Sequence, residues 1–152
     1  MNVLIVNESS LRAPRKFIAD WCKLIEKEFQ KRKLWKSLPS QLELTVVFLD
    51  TAAAKKMNQQ FRNRNYATDV LSFEGMEPGA LGELVLCPQV LRRQCKEHHL
   101  TYHQELGYML LHGILHLLGY DHELSESDAK KMFLIQDQVF EKLLTPKKST
   151  AR

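Results

Sequence analysis

The chain has 152 residues, of which 44% are hydrophobic and 26% are charged, as is typical of one soluble globular domain. It has no apolar run of the roughly 20 residues that a membrane helix needs, and its start, MNVLIVNESS, lacks the features of a signal peptide. We therefore expect a cytoplasmic protein with no membrane partner. The net charge of +4 favours polyanionic partners, but only weakly.

The first half of the chain predicts two strands and two helices. An aliphatic run at 2–6 is suited to a strand, and Pro14 suits the first turn of a helix. Apolar residues then recur at helical spacing: Phe17, Ile18, Trp21, Ile25 and Phe29. Alternation over 42–50 predicts a second strand, after which Thr51 is a plausible N-cap for a helix that reaches Phe61.

The second half predicts two more strands and three helices. The strands are 70–73 and 81–87, and Pro88 opens a helix that runs to about residue 98. A longer helix covers 102–118, and Ser125 caps a last helix that ends near residue 144. This order predicts an α+β single-domain sandwich over 1–145, in which helices pack on a mixed sheet of about four strands. The segment 146–152 is predicted to be a flexible basic tail.

The three cysteines, Cys22, Cys87 and Cys95, form no CxxC pair. An odd number without that spacing argues against a disulfide framework and against a thiolate metal site. We expect all three to be small buried hydrophobic residues in a reducing compartment.

Three of the six histidines lie within HGILHLLGYDH, residues 112–122. His112 and His116 are four residues apart, so on a helix their Cβ atoms lie about 5–6 Å from each other and both rings can reach one ion. Gly119 is suited to end that helix, which lets His122 approach the same ion from another side. Three neutral imidazoles leave one coordination position open for water, as in catalytic zinc sites. Three buried imidazoles without partners would instead cost several kcal/mol.

The spacing H-x-x-x-H-x-x-G-x-x-H also resembles the zinc site of the metzincin peptidases. Those enzymes carry a glutamate general base directly after the first histidine, where this chain has Gly113. Because glycine cannot transfer a proton, the peptidase mechanism is disfavoured.

Three segments together resemble one known family. HGILHLLGYDH resembles the signature of the YbeY family of rRNA maturation factors, which are single-zinc endoribonucleases by prediction. FRNRNYATDVLSF, 61–73, resembles a second family signature, an arginine followed by T-[DN]-V-L-S-F, and LGELVLC, 81–87, resembles a third, L-G-[DE]-[IL]. The segments occur in the family's order and at about its separations.

The resemblance implies one zinc ion bound by His112, His116 and His122, with His112 also counted among the catalytic residues. It implies cleavage of single-stranded RNA in 16S rRNA 3′-end maturation and in ribosome quality control. The implied partners are the 16S precursor, the 30S subunit and ribosomal or assembly proteins. Arg62 matches the functionally important arginine of the family, and a guanidinium can hold a phosphate with two hydrogen bonds. Iron or nickel also fits three imidazoles, since affinity alone does not select zinc.

Two other functions stay open at this point. One is a ribosome-assembly factor in which a structural zinc only holds the last two long helices together. The other is a metallohydrolase that acts on another substrate.

Several neighbouring residues have both a functional and a structural interpretation. Arg64 and the stripe of Arg92, Arg93 and Lys96 could contact RNA, but an exposed surface role is favoured. The aromatic residues Phe61, Tyr66 and Phe73 could stack on bases, but a core role is favoured.

Thr68 with Asp69 is typical of a turn, and we expect exposed positions for His98, His99 and His103. For two residues, two interpretations are evenly balanced. The Ser72 hydroxyl either faces the metal cleft or is buried and bonded to the backbone. Asp121 either orients a ligand imidazole or stabilises the turn after Gly119.

Overall fold

The computed structural model describes residues 1–35, 41–64 and 68–145. In this part of the chain, four strands and five helices occur in the order β1 (Asn2–Asn7), α1 (Arg15–Lys31), β2 (Glu43–Phe48), α2 (Thr51–Arg62), β3 (Val70–Glu74), β4 (Ala80–Leu86), α3 (Pro88–Glu97), α4 (Tyr102–Leu117) and α5 (Glu126–Leu144). The predicted α+β class and the predicted number of strands are confirmed. The predicted tail, 146–152, lies outside the described residues, and the domain limits stay a prediction.

The four strands form one mixed sheet in the order β1-β2-β4-β3. β1, β2 and β4 are parallel, whereas β3 runs antiparallel to β4 along one edge of the sheet. Side chains alternate between the two faces of a strand, so β2 and β4 contribute to two cores. Leu44, Val46 and Leu84 belong to the larger core, which α1, α4 and α5 cover. Val85 belongs to the smaller core, to which α2 and the start of α3 contribute.

Helix α4 lies at the centre of the larger core. The indole nitrogen of Trp21 on α1 donates a hydrogen bond of 2.9 Å to the carbonyl oxygen of Gly107 on α4. On the sheet side, a Cβ atom at Gly113 would lie 2.6 Å from Cδ2 of Leu84, which is fully buried on β4. The absence of a side chain at Gly113 therefore has a packing reason, because it lets α4 approach the sheet closely.

The predicted N-cap Thr51 is wrong by one residue. Asp50 is the N-cap of α2, and Thr51 is the first residue of the helix. The Asp50 carboxylate accepts hydrogen bonds from the backbone N–H of Ser10 and, at 2.7 Å, from the side chain of Gln89. It therefore joins the loop after β1 to the start of α3 instead of capping its own helix, which the local sequence could not reveal.

Other local predictions agree with the structure. The Ser125 hydroxyl accepts a hydrogen bond of 3.0 Å from the backbone N–H of Asp128 and so caps α5 as predicted. The three cysteines are free and buried. No helix in the described ranges is long and apolar enough to cross a membrane.

Candidate metal centre

The end of α4 brings the three predicted histidines together. His112 and His116 lie on its last two turns, and Gly119 follows with φ +100°. The backbone N–H groups of Gly119 and Tyr120 donate to the carbonyl oxygens of His116 and Leu115 at 3.0 and 3.1 Å. This pair of bonds ends the helix in a Schellman motif, which needs a left-handed residue at the glycine. The chain consequently reverses, and His122 returns to the two histidines on the helix.

The geometry of the three rings suits a single metal ion. One ligand atom from each of His112, His116 and His122 lies within 4.8 Å of the others. The Nε2 atoms of His112 and His116 are 3.1 Å apart, and tetrahedral Zn–N bonds of 2.0–2.1 Å would place two such atoms about 3.3 Å apart. The buried Nδ1 atom of His122 has no hydrogen-bond partner among the described residues. The three side chains can therefore hold a divalent ion with little rearrangement.

Burial keeps the helical histidines neutral, as metal binding requires. Burial lowers the pKa of His112. Burial and the neighbouring rings of His112 and His122 lower the pKa of His116 to about 4. Both imidazoles thus present a lone pair at neutral pH without first losing a proton.

A glutamine on α5 orients the first histidine. Nδ1 of His112 lies 2.9 Å from Oε1 of Gln136, whose side chain is fully buried. Because an amide oxygen only accepts, Nδ1 carries the proton and Nε2 of His112 is left with the lone pair. Gln136 thereby selects the tautomer that presents Nε2 to the ion.

The histidines form one side of an open cleft of about 650 Å³. Its other walls come from the end of α2, from β3 and from the turn after α4. Arg62, the last residue of α2, lines this cleft, and its Nη2 lies 3.3 Å from Oε1 of Glu123. Both side chains are about half exposed. The ion pair is therefore weak and can exchange for another anion.

Polar residues of β3 and of the loops around the cleft bear on two open interpretations. Ser72 lines the cleft, together with Thr68 and Asp69. Asp69 Oδ1 also accepts hydrogen bonds from the Thr68 hydroxyl at 3.2 Å and the Val70 backbone at 2.8 Å, as expected of a turn pair. Asp121 accepts a bond of 2.7 Å from the Glu123 backbone and so stabilises the turn, and it also lines the cleft beside the histidines.

Of the remaining candidates, Arg64 also lines the cleft, whereas those described next do not. His98, His99 and His103 are exposed as predicted, and His98 contacts the buried Glu105 at 2.7 Å. Arg92, Arg93 and Lys96 are exposed on α3. The core interpretation is wrong for Phe61, which is 56% exposed and touches Phe73 edge to face. Tyr66 lies outside the described residues.

The roles of Gln136 and Phe133 near the metal centre were not predicted from the sequence. Gln136 could have been recognised from its position in the sequence. It follows the buried Met132 by four residues and precedes the buried Val139 by three, which places it on the core face of α5. A polar residue in such a stripe needs a buried partner. Phe133, whose ring centroid lies 5.5 Å from that of His122, resembles any apolar residue of an amphipathic helix and left no comparable signal.

Known proteins resemble this chain over most of its length. The sequence model of the family described as Endoribonuclease YbeY matches residues 6–144. The chain belongs to the YbeY family. The YbeY endoribonuclease of Bdellovibrio bacteriovorus is 64% identical over 144 residues, which cover 95% of this chain and 96% of that protein. The YbeY endoribonuclease of Staphylococcus saprophyticus is 36% identical and covers 79% of this chain and 84% of its own length.

A solved structure also resembles this YbeY chain. The solution structure of TM1509 from Thermotoga maritima superimposes with a TM-score of 0.62 at 30% identity, covering 93% of this chain and 88% of that one. The resemblance read from the three signature segments is therefore confirmed. Membership of the YbeY family supports endoribonuclease activity as the class of reaction.

Proposed function

We propose that this protein is a zinc-dependent endoribonuclease that cuts single-stranded RNA in 16S rRNA 3′-end maturation and ribosome quality control. The observation that carries the proposal is the position of His112, His116 and His122 on one wall of an open cleft that also contains Arg62. The endoribonuclease name that the relatives carry supports RNA as the class of substrate, and the 16S precursor is the RNA that the family resemblance implies. Because that substrate is made in the cytoplasm, we place the protein there, with the 30S subunit and its proteins as partners.

The cleft favours a catalytic metal over a purely structural one. Structural zinc sites are closed by four protein ligands, whereas catalytic sites keep one position open. No fourth histidine, cysteine or carboxylate joins the cluster within the described ranges. When bound, the ion supplies Lewis acidity toward a phosphoryl oxygen and a water nucleophile at neutral pH.

The protein's own residues bind and orient the substrate in this proposal. Arg62 exchanges Glu123 for the phosphate and holds it through two parallel hydrogen bonds, which a lysine cannot reproduce. Gln136 keeps the proton of His112 on Nδ1. We expect the hydroxyl of Ser72, which lines the cleft on β3, to hydrogen-bond the bound RNA.

The test is cleavage of an RNA that carries the precursor 16S 3′ end, by protein freed of trace nucleases. We expect a chelator to abolish cleavage and added zinc to restore it. Arg62→Ala and Arg62→Lys should both lower kcat/KM by roughly 100-fold, since both lose the paired hydrogen bonds. Lys23→Ala removes an exposed cation of α1 and should leave cleavage unchanged.

Two results would contradict the proposal in different ways. Cleavage by His116→Ala at the normal rate, after loss of its metal, would show that the nuclease is a contaminant. Weaker 30S binding by Arg62→Ala, with no metal-dependent turnover by any variant, would instead support an assembly factor.

A further inference from the structure

We propose that the flank of α2 that carries Lys55 and Arg62, on either side of the buried Asn58, binds the backbone of single-stranded RNA and extends the cleft by one to two helical turns. This inference rests on the proposed function, since it names the path that the RNA takes outside the cleft.

The helical geometry places Lys55 in line with the cleft. Residues three, four and seven positions apart lie on the same side of a helix, which groups Lys55 with Asn58 and Arg62. The latter two line the cleft. Lys55 is exposed and lies about 10 Å from Arg62 along the helix axis, at a rise of 1.5 Å per residue. A strand whose phosphate is held by Arg62 therefore passes Lys55 if it leaves along α2.

The distribution of charge favours that direction. Helix α2 carries Lys55, Lys56 and Arg62 and contains no acidic residue. Asp121 on the turn after α4 and Glu74 at the end of β3 line other walls of the cleft, while Glu123 lies beside Arg62 and is the carboxylate that a bound phosphate would displace. A polyanionic backbone is repelled on those sides and attracted on the α2 side.

Lys55 has no evident role in stabilising its own helix. Its neighbours at three and four positions in either direction are Ala52, Thr51, Asn58 and Gln59, none of which can form the usual helical ion pair. On α1, by contrast, Lys16 pairs with Asp20 and Arg32 pairs with Glu28 at that spacing. Among the described residues, no carboxylate lies within ion-pair distance of Lys55. Its charge is therefore available to an external anion.

Lys56 offers a matched control on the same helix. It is equally exposed, but it is rotated by about 100° around the helix axis and so leaves the flank that Asn58 and Arg62 define. The variants Lys55→Gln and Lys56→Gln remove the same charge from adjacent positions. A contact along the proposed flank should distinguish them, whereas a general effect of net charge should not.

The experiment measures binding of the metal-loaded full chain to a fluorescent oligodeoxythymidine of about 12 nucleotides. This probe has the polyanionic backbone and lacks the 2′-hydroxyl, so binding is followed independently of RNA cleavage. We expect Lys55→Gln to weaken binding roughly three- to fivefold. It should also reduce the slope of log K against log salt by about 0.7, as expected for the loss of one phosphate contact. Lys56→Gln should leave that slope unchanged.

Equal slopes for the two variants, or no change in either, would overturn the proposal. So would binding of polyglutamate that depends on Lys55 while oligonucleotide binding does not, since that would identify an acidic protein segment as the partner. On an RNA of the same length, Lys55→Gln should raise KM and leave kcat unchanged. Absence of cleavage by the natural protein would refute the proposed function alone, because the salt slopes would still test the α2 flank.

Discussion

Gln136 shows how a residue outside the histidine segment controls the metal centre. Its side chain is fully buried and reaches His112 from α5, with 2.9 Å between its Oε1 atom and Nδ1. Without this acceptor, the His112 ring is free to place its proton on Nε2, the atom that lies 3.1 Å from Nε2 of His116. Ligand atoms must be unprotonated to bind a metal, so the tautomer contributes directly to affinity.

We therefore predict that Gln136→Leu weakens zinc binding by 10- to 100-fold, the usual range for the loss of such a partner. Competition with a chromogenic chelator measures this change. Gln136→Glu keeps an oxygen acceptor at the same position and should retain most of the affinity. Equal losses in the two variants would indicate a packing defect instead of a lost hydrogen bond.

At the scale of elements, the contact between α4 and β4 positions the metal centre. Helical spacing brings His112 and His116 together, but only the docking of α4 sets their distance from β3 and from Arg62 on α2. Gly82 on β4 has φ +152°, and a Cβ atom there would lie 2.4 Å from the Phe73 carbonyl oxygen and 2.7 Å from Leu117 of α4. This glycine therefore permits both the strand pairing and the approach of the helix.

Gly82→Ala should accordingly destabilise the protein by roughly 2–4 kcal/mol, through backbone strain and overpacking together. Gly119→Ala provides the comparison, because no atom lies within 4 Å of a Cβ there. At this position alanine is disfavoured only by the left-handed backbone conformation, which should lower the free energy of unfolding by about 1 kcal/mol. Urea unfolding of the two variants measures both changes, and a cost at Gly82 no larger than that at Gly119 would contradict the packing argument.

At the scale of the whole molecule, the features that depend on neighbouring residues could be predicted from the sequence. The features that depend on tertiary contacts could not. The three histidines lie within eleven residues on one helix and the turn after it, so periodicity and Gly119 were enough to group them. Gln136 contacts His112 only because α5 packs back against α4, which no local pattern records. The placement of Arg62 in the cleft likewise depends on tertiary packing; the family resemblance marked this arginine as important but did not give its position. Thr51 was assigned wrongly by one residue, because aspartate and threonine both suit an N-cap and the chain has them side by side.

The larger core should also control the chemistry of Cys22, which is fully buried on α1. Burial raises the pKa of this thiol to about 12, whereas an exposed cysteine ionises near pH 8.5. Because the thiolate is the reactive form, raising the pH from 7 to 9 accelerates alkylation of an exposed cysteine but creates almost no thiolate at Cys22 in the folded protein. In a Cys87→Ser, Cys95→Ser background, we predict that iodoacetamide modifies Cys22 only as fast as the whole chain unfolds. Mass spectrometry of the modified fraction over a urea series measures this rate, and rapid labelling without urea would show that the core opens locally.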